Sequence, residues 1–457
     1  MKEKKNANII ELDGRTGEGG GQLVRIACAL ASVATQPIRI IDVRGNREGP
    51  RGGGLKSQHV TAIEYLAAAT DAEVDGLSVG SHTLTFIPRQ PPSGLLSRNI
   101  KIEANSPAAS TMLIFQAIFP FLLFAANDKG DPITLSISGG TNVSFSLSFE
   151  YLDQVLLPAL HDAFGIAVDR RLLARGWSLG RQQRGRVEFT FRPLKLGEAL
   201  RFREGKHGNE GGVYGGDGPL PVVEDVEEID VSLIIPSAMH QAMREALEED
   251  LEVLFPGVEP NFKIVEDSGS DARVYVLLVA RAGIARWGRD SLSSMPKNAA
   301  AVKGGKGKNS SGGGSSSGKQ STASLCATIS RKISKELYEE VSTGGVVDEF
   351  LQDQLVVFQA LAEGRTSFRR GEPKDGLEQA MDKLAVTATN TTAAENNTSN
   401  DKKKLRKEKT DKPFGEGSTH TTTARWVTAE LLPVVAWYNK GSVCDGVGVH
   451  MGAAAKK

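Results

Sequence analysis

Hydrophobic positions in the first part of the chain alternate between two periods. Short apolar runs are typical of buried strands, and segments with apolar side chains every three or four residues are typical of helices with one buried face. The second helical segment is followed by two short alternating runs that predict a closing pair of strands. The predicted elements are strand 7–12, helix 22–34, strand 38–43, helix 57–69, and strands 73–79 and 83–88. This order is a β-α-β-α-β-β unit.

The same order recurs in the next hundred or so residues. The second set of predicted elements is strand 99–103, helix 106–126, strand 133–138, helix 149–163, and strands 166–170 and 186–191. Similar short stretches begin at Gln116, Gln154 and Gln354, each on a predicted helix. This echo indicates three repeats, the last one interrupted by an insertion.

Residues 188–343 predict a separate and smaller domain with an acidic helix at 237–255 and a second helix at 330–341. The main domain then comprises residues 1–187 and 344–457. We therefore predict an α/β (α+β) fold, in which three β-α-β-α-β-β repeats form the main domain and a smaller α/β domain is inserted.

Two stretches have the composition of flexible segments. A linker is predicted at 293–324, because residues 303–319 contain only Gly, Ser, Lys and Asn. Residues 364–413 are poor in large apolar side chains and predict a disordered insert. Within it, residues 402–409 carry six basic side chains in eight positions. This run fits a solvated charge cluster or a nuclear localisation patch, so we expect a nuclear (nucleoplasmic) location, or otherwise a cytoplasmic one.

The overall charge excludes a globally basic nucleic-acid coat, because 55 Lys and Arg balance 55 Asp and Glu among 457 residues. Ten acidic residues against one arginine in 224–252 predict an acidic patch on the inserted domain. The longest apolar run, 112–126, is shorter than a membrane span needs, so no membrane association is expected. Three widely separated cysteines predict reduced thiols and not a disulfide framework.

The strongest local signal for chemistry is a glycine-rich loop between the first strand and the first helix, containing Glu18, Gln22 and Arg25. Free N–H groups at a helix start suit an anion, and glycines allow a phosphate to approach the backbone. A carboxylate such as Glu18 suits a divalent metal ion beside phosphates. Taken alone, the loop fits a structural turn equally well.

Four further polar residues follow the second predicted strand. Arg44 and Arg47 come directly after it, and Gln58 and His59 open the next helix. Two arginines at the end of a strand can clamp phosphate oxygens, although surface arginines are the more common interpretation of such a pair.

Three residues in the last part of the chain are also candidates. Asp353 and Gln354 lie at the start of a predicted helix, where a carboxylate is also common for purely structural reasons. His420 is flanked by Ser and Thr residues and directly precedes a helix. No two of the seven histidines have the spacing of metal ligands.

Together these motifs resemble the RNA 3'-terminal phosphate cyclase family. The glycine loop matches the family's opening motif, and Ser138–Asn142 matches its second-repeat loop. His420 stands where the family has its nucleophilic histidine in a His-x-x-Thr motif, and Phe350 stands where a tyrosine is common. The resemblance implies an enzyme that converts an RNA 3'-phosphate end to a 2',3'-cyclic phosphodiester with ATP, through a covalent histidinyl-AMP, releasing AMP and pyrophosphate.

The resemblance also implies roles for individual residues. His420 is the nucleophile, supported by Arg25, Arg44 and Arg47 on the phosphates, and Glu18 holds Mg²⁺ or Mn²⁺. The residues that this resemblance assigns to ATP are Glu18, Gln22, Gln58, His59, Gln116, Phe350, Asp353 and Gln354.

Two other functions are compatible with a related architecture. Non-catalytic cyclase-like factors of pre-ribosomal RNA processing share the fold but lack the histidine and much of the glycine loop, and both features are present here. Enolpyruvyl transferases act on small phosphorylated acids and need no nucleophilic histidine. The RNA target, the preferred metal and the oligomeric state stay open.

Overall fold

Two units with the same strand order form the first half of the molecule. The computed structural model describes residues 9–47, 49, 52–203, 223–295, 321–370 and 415–452. The first unit comprises β1 (Ile10–Asp13), α1 (Gly21–Ala34), β2 (Ile38–Ile41), α2 (Ser57–Thr70), β3 (Glu73–Asp75) and β4 (Leu84–Ile87). Its sheet has the order β1-β2-β4-β3, with β1 parallel to β2 and the other pairs antiparallel.

The second unit repeats this order. It comprises β5 (Asn99–Glu103), α3 (Thr111–Leu123), β6 (Ile133–Gly139), α4 (Phe149–Tyr151), a π-helical turn (Leu152–Leu156), α5 (Leu157–Phe164), β7 (Val168–Ala174) and β8 (Gly185–Phe191). The sheet order is β5-β6-β8-β7. The predicted start of the inserted domain at residue 188 therefore falls inside β8, which pairs with β6 as far as Phe191.

The third unit is split by the inserted domain. Its later elements are α8 (Glu349–Leu361), β13 (Glu363–Ser367), α9 (Thr419–Leu431), β14 (Ala436–Tyr438) and β15 (Val443–Val447), and the sheet order is β13-β15-β14. A single parallel bridge between Arg201 and Glu363 stands where the first strand of each other unit lies. The predicted insert at 364–413 begins inside β13, and residues 371–414 lie outside the described part of the chain.

The inserted domain is an α/β unit whose strand order differs from that of the repeats. It comprises β9 (Glu228–Ile235), α6 (His240–Leu254), β10 (Pro260–Asp267), β11 (Val274–Ala282), β12 (Ala285–Ser293) and α7 (Thr322–Ser342), with the sheet order β10-β9-β11-β12. Two residues of the predicted acidic patch, Asp230 and Asp250, are buried. Asp230 pairs with Lys263 Nζ at 3.1 Å, and Asp250 accepts a hydrogen bond from Ser330 at 2.5 Å. The linker residues 296–320 lie outside the described residues.

The apolar run at 112–126 forms the buried helix α3. Phe115 stacks on Phe119 with ring centroids 4.6 Å apart, and Phe119 meets Phe191 of β8 edge-on at 5.1 Å. Ser110 starts this helix by accepting the Leu113 N–H at 3.2 Å, so α3 begins later than the sequence predicts. None of the helices in the described part of the chain combines the length and apolarity that a bilayer-spanning segment requires. The mixed α/β class predicted from the sequence is confirmed.

Candidate functional site

The first turns of four helices from three repeats meet at one cleft of about 1510 Å³. These helices are α1, α2, α3 and α9, and their positive dipole ends favour an anionic ligand. The cleft is also basic, although the whole chain is neutral. Its lining contains Arg15, Arg25, Arg44, Arg47 and Lys56 against the two acidic residues Glu18 and Asp42. Helix ends and side chains thus agree on the sign of the ligand charge.

His420 is the second residue of α9, a helix whose N-cap Ser418 accepts the Thr421 N–H. The imidazole Nδ1 lies 2.8 Å from Gln22 Oε1, which can only accept, so Nδ1 carries the proton. The lone pair is then on Nε2. Burial, followed by the positive charges of Arg25 and Arg47, lowers the pKa of His420. The ring is therefore neutral at pH 7 and competent as a nucleophile.

The glycine loop holds the start of α9 directly. The Glu18 N–H donates to Thr423 Oγ1 at 2.9 Å, and Gly17 has φ 67°, where a side chain would also collide with Thr423. The Glu18 carboxylate forms an ion pair with Arg47, and its Oε2 lies 3.6 Å from His420 Nδ1. Residues at opposite ends of the sequence thus form one site.

Arg25 connects this loop to two other helices. Its Nε donates to Gln116 Oε1 of α3 at 2.7 Å, and Asp353 of α8, in the third repeat, interacts with it electrostatically whenever its carboxyl is ionised. Burial lowers the pKa of Arg25 to about 10, so it stays a cation at pH 7. Burial also disfavours the charged form of Asp353 and raises its pKa to about 8, against the hydrogen bond from Gln354, which lowers it.

The start of α2 presents a second histidine of different character. His59 Nδ1 accepts the Lys56 N–H at 3.0 Å, so its proton is on Nε2. Burial and the nearby cations hold the pKa of His59 well below its usual value, so the ring is neutral. Arg44 adopts φ 54°, a left-handed conformation that costs a non-glycine residue energy, and its guanidinium donates to the Gly54 carbonyl at 3.3 Å.

Four buried polar atoms in this cleft lack a hydrogen-bond partner among the described residues. Glu18 Oε2, Gln22 Nε2, Ser57 Oγ and His59 Nε2 have none within the described residues, and all four side chains line the cleft. Each such atom costs free energy unless a ligand or ion satisfies it. The set contains donors for phosphate oxygens and one carboxylate oxygen for a cation.

The residues that the sequence singled out divide into three groups. Those that line the cleft are Glu18, Gln22, Arg25, Arg44, Arg47, Gln58, His59 and His420. Gln116 and Gln354 line an adjoining apolar slot of about 30 Å³, which shares Leu113 with the cleft. Phe350 and Asp353 line neither space. Phe350 instead packs against Arg289, whose guanidinium carbon lies 4.6 Å from the ring centroid.

Two contributors were given no role from the sequence, although one of them, Thr423, is the threonine of the His-x-x-Thr motif. Thr423 receives the Glu18 N–H, and Lys56 orients His59 through its backbone. The signal for Thr423 was present, because a hydroxyl three residues after His420 lies on the same helix face. Lys56 acts through its main chain, which leaves no pattern in the sequence.

Glu18 fits one part of a divalent cation site. Its Oε2 is buried and lacks a hydrogen-bond partner, and carboxylate oxygens are preferred ligands of Mg²⁺. In the part of the chain that the structure describes, no group of three His, Cys, Asp or Glu side chains could hold a metal ion alone. A cation here would share its coordination with the oxygens of a bound phosphate, as Mg²⁺ commonly does.

Fold and site together define a repeat-built α/β protein with a basic cleft that favours anions and contains a neutral, oriented histidine. A family model for RNA 3'-terminal phosphate cyclase matches residues 16–390. An RNA 3'-terminal phosphate cyclase of Methanosarcina mazei is 34% identical over 367 residues, covering 79% of this chain and 89% of that protein. Proteins of the same name from Desulfurococcus amylolyticus and Drosophila melanogaster are 30% and 29% identical, covering 78% and 80% of this chain and 86% of each relative.

The chain belongs to the RNA 3'-terminal phosphate cyclase family, as its motifs indicated. His420 lies beyond the segment matched by the family model, so its role rests on the geometry of the cleft.

Proposed function

We propose that this protein uses ATP to convert an RNA 3'-terminal phosphate to a 2',3'-cyclic phosphodiester through a covalent histidinyl-AMP. The observation that carries the proposal is His420. Its imidazole is neutral, its Nδ1–H is held by Gln22, and it lies in a basic cleft where helix ends converge. An anion-binding role alone would need neither a fixed tautomer nor a lowered pKa.

The proposed reaction has three bond exchanges. The Nε2 lone pair of His420 attacks the α-phosphorus of ATP, a P–N bond forms, and pyrophosphate leaves. An oxygen of the RNA 3'-phosphate then attacks the same phosphorus, the P–N bond breaks, and AMP is attached to the RNA end. Finally the neighbouring 2'-hydroxyl attacks the terminal RNA phosphorus, which closes the cyclic ester and releases AMP and a proton.

The cations of the cleft have an electrostatic role in each exchange. Arg25, Arg44 and Arg47 neutralise charge that develops on the phosphate oxygens. The uncapped start of α1 adds backbone N–H donors from the glycine loop. A bound Mg²⁺ or Mn²⁺ would supply Lewis-acid stabilisation of the triphosphate. Glu18 Oε2 would hold it, and Arg47 would then exchange its ion pair with Glu18 for a phosphate.

The positions of the remaining candidates support a nucleoside site near α8. Gln116 and Gln354 line the apolar slot beside Arg25, and Asp353 neighbours Gln354. The slot itself is too small for an adenosine, so we assign the adenosine to the cleft at the opening of the slot and the phosphates to the His420 side. Phe350 would contribute at the edge of the nucleotide site, supported from behind by Arg289.

The first experiment tests the covalent step without RNA. The protein is incubated with ATP labelled at the α-phosphate and with Mg²⁺ or Mn²⁺, and acid-labile label on the protein is measured. Wild type should be labelled and His420→Asn should not, because asparagine can still donate to Gln22 but has no nucleophilic ring nitrogen. His161→Asn, a half-exposed histidine of α5, is the matched control and should label normally. Label on His420→Asn would refute the nucleophile.

A second experiment tests the product. An RNA with a 3'-phosphate should become resistant to phosphatase only when ATP is present. Resistance without ATP would contradict adenylylation. A wild-type protein that binds RNA but is never labelled would favour the non-catalytic ribosome-biogenesis function.

A further inference from the structure

One wall of the cleft carries an exposed aromatic ring that has no part in the scheme above. Phe145 lies in the loop between β6 and α4 of the second repeat, and 54% of its surface is exposed. It lines the same cleft as His420, Arg44 and Lys56. Leaving a phenylalanine this exposed forgoes hydrophobic stabilisation, and its position inside a ligand cleft distinguishes it from apolar side chains scattered over the surface.

Hydrogen bonds of the two neighbouring residues anchor the loop that carries Phe145. The Ser144 N–H donates to Ser178 Oγ at 3.2 Å, and Ser146 Oγ lies 2.7 Å from Ser110 Oγ at the N-cap of α3. These contacts anchor the loop, while about half of the Phe145 surface stays exposed. An exposed aromatic ring on an anchored loop suits a flat partner, because little backbone freedom is lost when that partner binds.

Phe145 does not line the slot at whose opening we assign the adenosine of ATP. Leu147, two residues later in the same loop, lines the apolar slot together with Gln116 and Gln354, and Phe145 does not. The loop thus directs one apolar side chain to each space. A flat group on Phe145 would belong to the other substrate, the RNA.

A second exposed apolar side chain lines the same cleft. Val79 of the first repeat is 63% exposed, and the cations of that repeat lie in the same lining. Aromatic rings next to cations are the recurring means of holding single-stranded nucleic acid, because bases stack while phosphates pair with the charges. The terminal nucleotide is the one whose phosphate must react in this cleft, so its base is the one that lies there too.

We propose that Phe145 is the stacking platform for the base of the 3'-terminal nucleotide of the RNA, with Val79 as a second apolar contact. This inference rests on the proposed function. It predicts that the protein recognises the end nucleotide by its flat base without reading its hydrogen-bonding edge, so that all four bases are accepted.

The test compares substitutions at Phe145 in two assays. Phe145→Ala and Phe145→Leu should raise the KM for a 3'-phosphate RNA about five- to fifty-fold, whereas Phe145→Trp should stay within about three-fold of wild type. Labelling by ATP in the absence of RNA should change less than about two-fold in all three variants. Leu96→Ala, at a fully exposed leucine that does not line the cleft, is the matched control and should behave as wild type.

A second arm varies the RNA. A substrate without a base on its terminal nucleotide should lose affinity with wild type, but should lose little more with Phe145→Ala, because both changes remove the same contact. Equal losses with both proteins would overturn the proposal. A fall in ATP labelling of Phe145→Ala would overturn it as well, since the ring would then hold the adenine.

Failure of the proposed function is distinguishable from failure of this inference. If wild type is never labelled, binding of a fluorescent 3'-phosphate RNA is measured by anisotropy. Weaker binding by Phe145→Ala and normal binding by Leu96→Ala would support the platform, and equal binding by both would overturn it.

Discussion

The first and second repeats have the same strand order, but they use the start of their second helix in opposite ways. At the start of α2, Ser57 Oγ and His59 Nε2 are buried without a hydrogen-bond partner and face the cleft. At the start of α4, Ser148 Oγ lies 2.5 Å from Tyr275 Oη of the inserted domain, and Tyr151 Oη donates to Asp348 at 2.7 Å.

The difference lies in where the polar groups find partners. In the second repeat, Gln154 donates to Ser232 of the inserted domain at 2.9 Å, and Asn142 donates to Glu150 at 2.6 Å. Most of these groups find partners inside the protein, and the bonds from Ser148 and Gln154 join the second repeat to the inserted domain. In the first repeat the corresponding groups, Ser57 Oγ and His59 Nε2, have no partner among the described residues and face the proposed ligand site. One position in the repeat can therefore serve as a binding site or as an interface, depending on the supply of internal partners.

The largest expected effect is a loss of stability when Asp348, the acceptor at the centre of the second-repeat interface, is replaced. Asp348 is fully buried and accepts hydrogen bonds from Tyr151, from the Gly288 N–H at 2.8 Å and from the Phe350 N–H at 2.8 Å. Asp348→Ala leaves these donors unpaired and should lower the free energy of unfolding by about 3–5 kcal/mol. Urea denaturation measures this, with half-exposed Glu349→Ala as the control. A loss below about 1 kcal/mol would contradict the assigned role of this interface.

Removing a cation of the first repeat should instead affect activity. Arg25→Met keeps much of the apolar side-chain volume but deletes the charge and the hydrogen bond to Gln116. Labelling by ATP should fall about 100- to 1000-fold, the usual cost of one oriented donor at a reacting group. Arg171→Ala, an exposed arginine of β7 in the second repeat, should label normally. If both variants label alike, the division of labour between the repeats is wrong.

The lowered pKa of His420 should be visible in the pH profile of labelling. A histidine with its ordinary pKa near 6.5 would be about one quarter neutral at pH 6. Because burial and two arginines lower this pKa, more than about one quarter of His420 should be neutral at pH 6, and the labelling rate should fall with an apparent pKa below 6.5. Substituting Arg47 by Gln removes one of the two charges, so the profile should move to higher pH. A wild-type labelling rate that has already dropped to half of its maximum at pH 6.5 or above would contradict a neutral ring flanked by cations.

The smallest predicted effect concerns Asp353. Its pKa is raised to about 8 by burial, so the folded protein binds this proton more tightly than the unfolded chain does. Stability should therefore fall as the pH rises from about 4 towards 8, as the unfolded chain releases the proton first. Asp353→Asn cannot lose a proton, so its stability should not depend on pH in this way. The Tm of the variant minus the Tm of wild type, both measured without ligands, should grow by about 2 °C or more between about pH 4 and pH 8. A constant difference would show that Asp353 is charged in the fold.

Local patterns predicted much of the fold. The strand 99–103 matches β5 at both ends, since its alternation is not disturbed by charges with internal partners. Two strands of the inserted domain, β10 and β12, were not predicted. β12 carries Arg289 and Asp290, whose charges are satisfied by Glu340 and Tyr275 from distant parts of the chain. Such a strand looks like a surface segment until its partners are known.

The candidate site was only partly accessible to local reasoning. The glycine loop and its anion chemistry follow from spacing, but nothing local brings Gln22 to His420 or Thr423 to Glu18. The family resemblance assigned Gln22, Glu18 and His420 to one site, but it did not predict these two hydrogen bonds. Phe350 packs against Arg289 of the inserted domain and does not line the cleft, and this contact has no local sequence signal. The single bridge between Arg201 and Glu363 was not predicted from local patterns either.

The contact between Glu18 and Thr423 has a consequence for the order of events during synthesis. The two residues are 405 positions apart, so the loop emerges from the ribosome about 20–80 s before its histidine-bearing partner helix. A growing chain would possess most of its phosphate-binding groups long before it possesses a nucleophile. In the proposed mechanism, therefore, the protein first becomes able to react with nucleotide when α9, which is made late in translation, docks against the glycine loop.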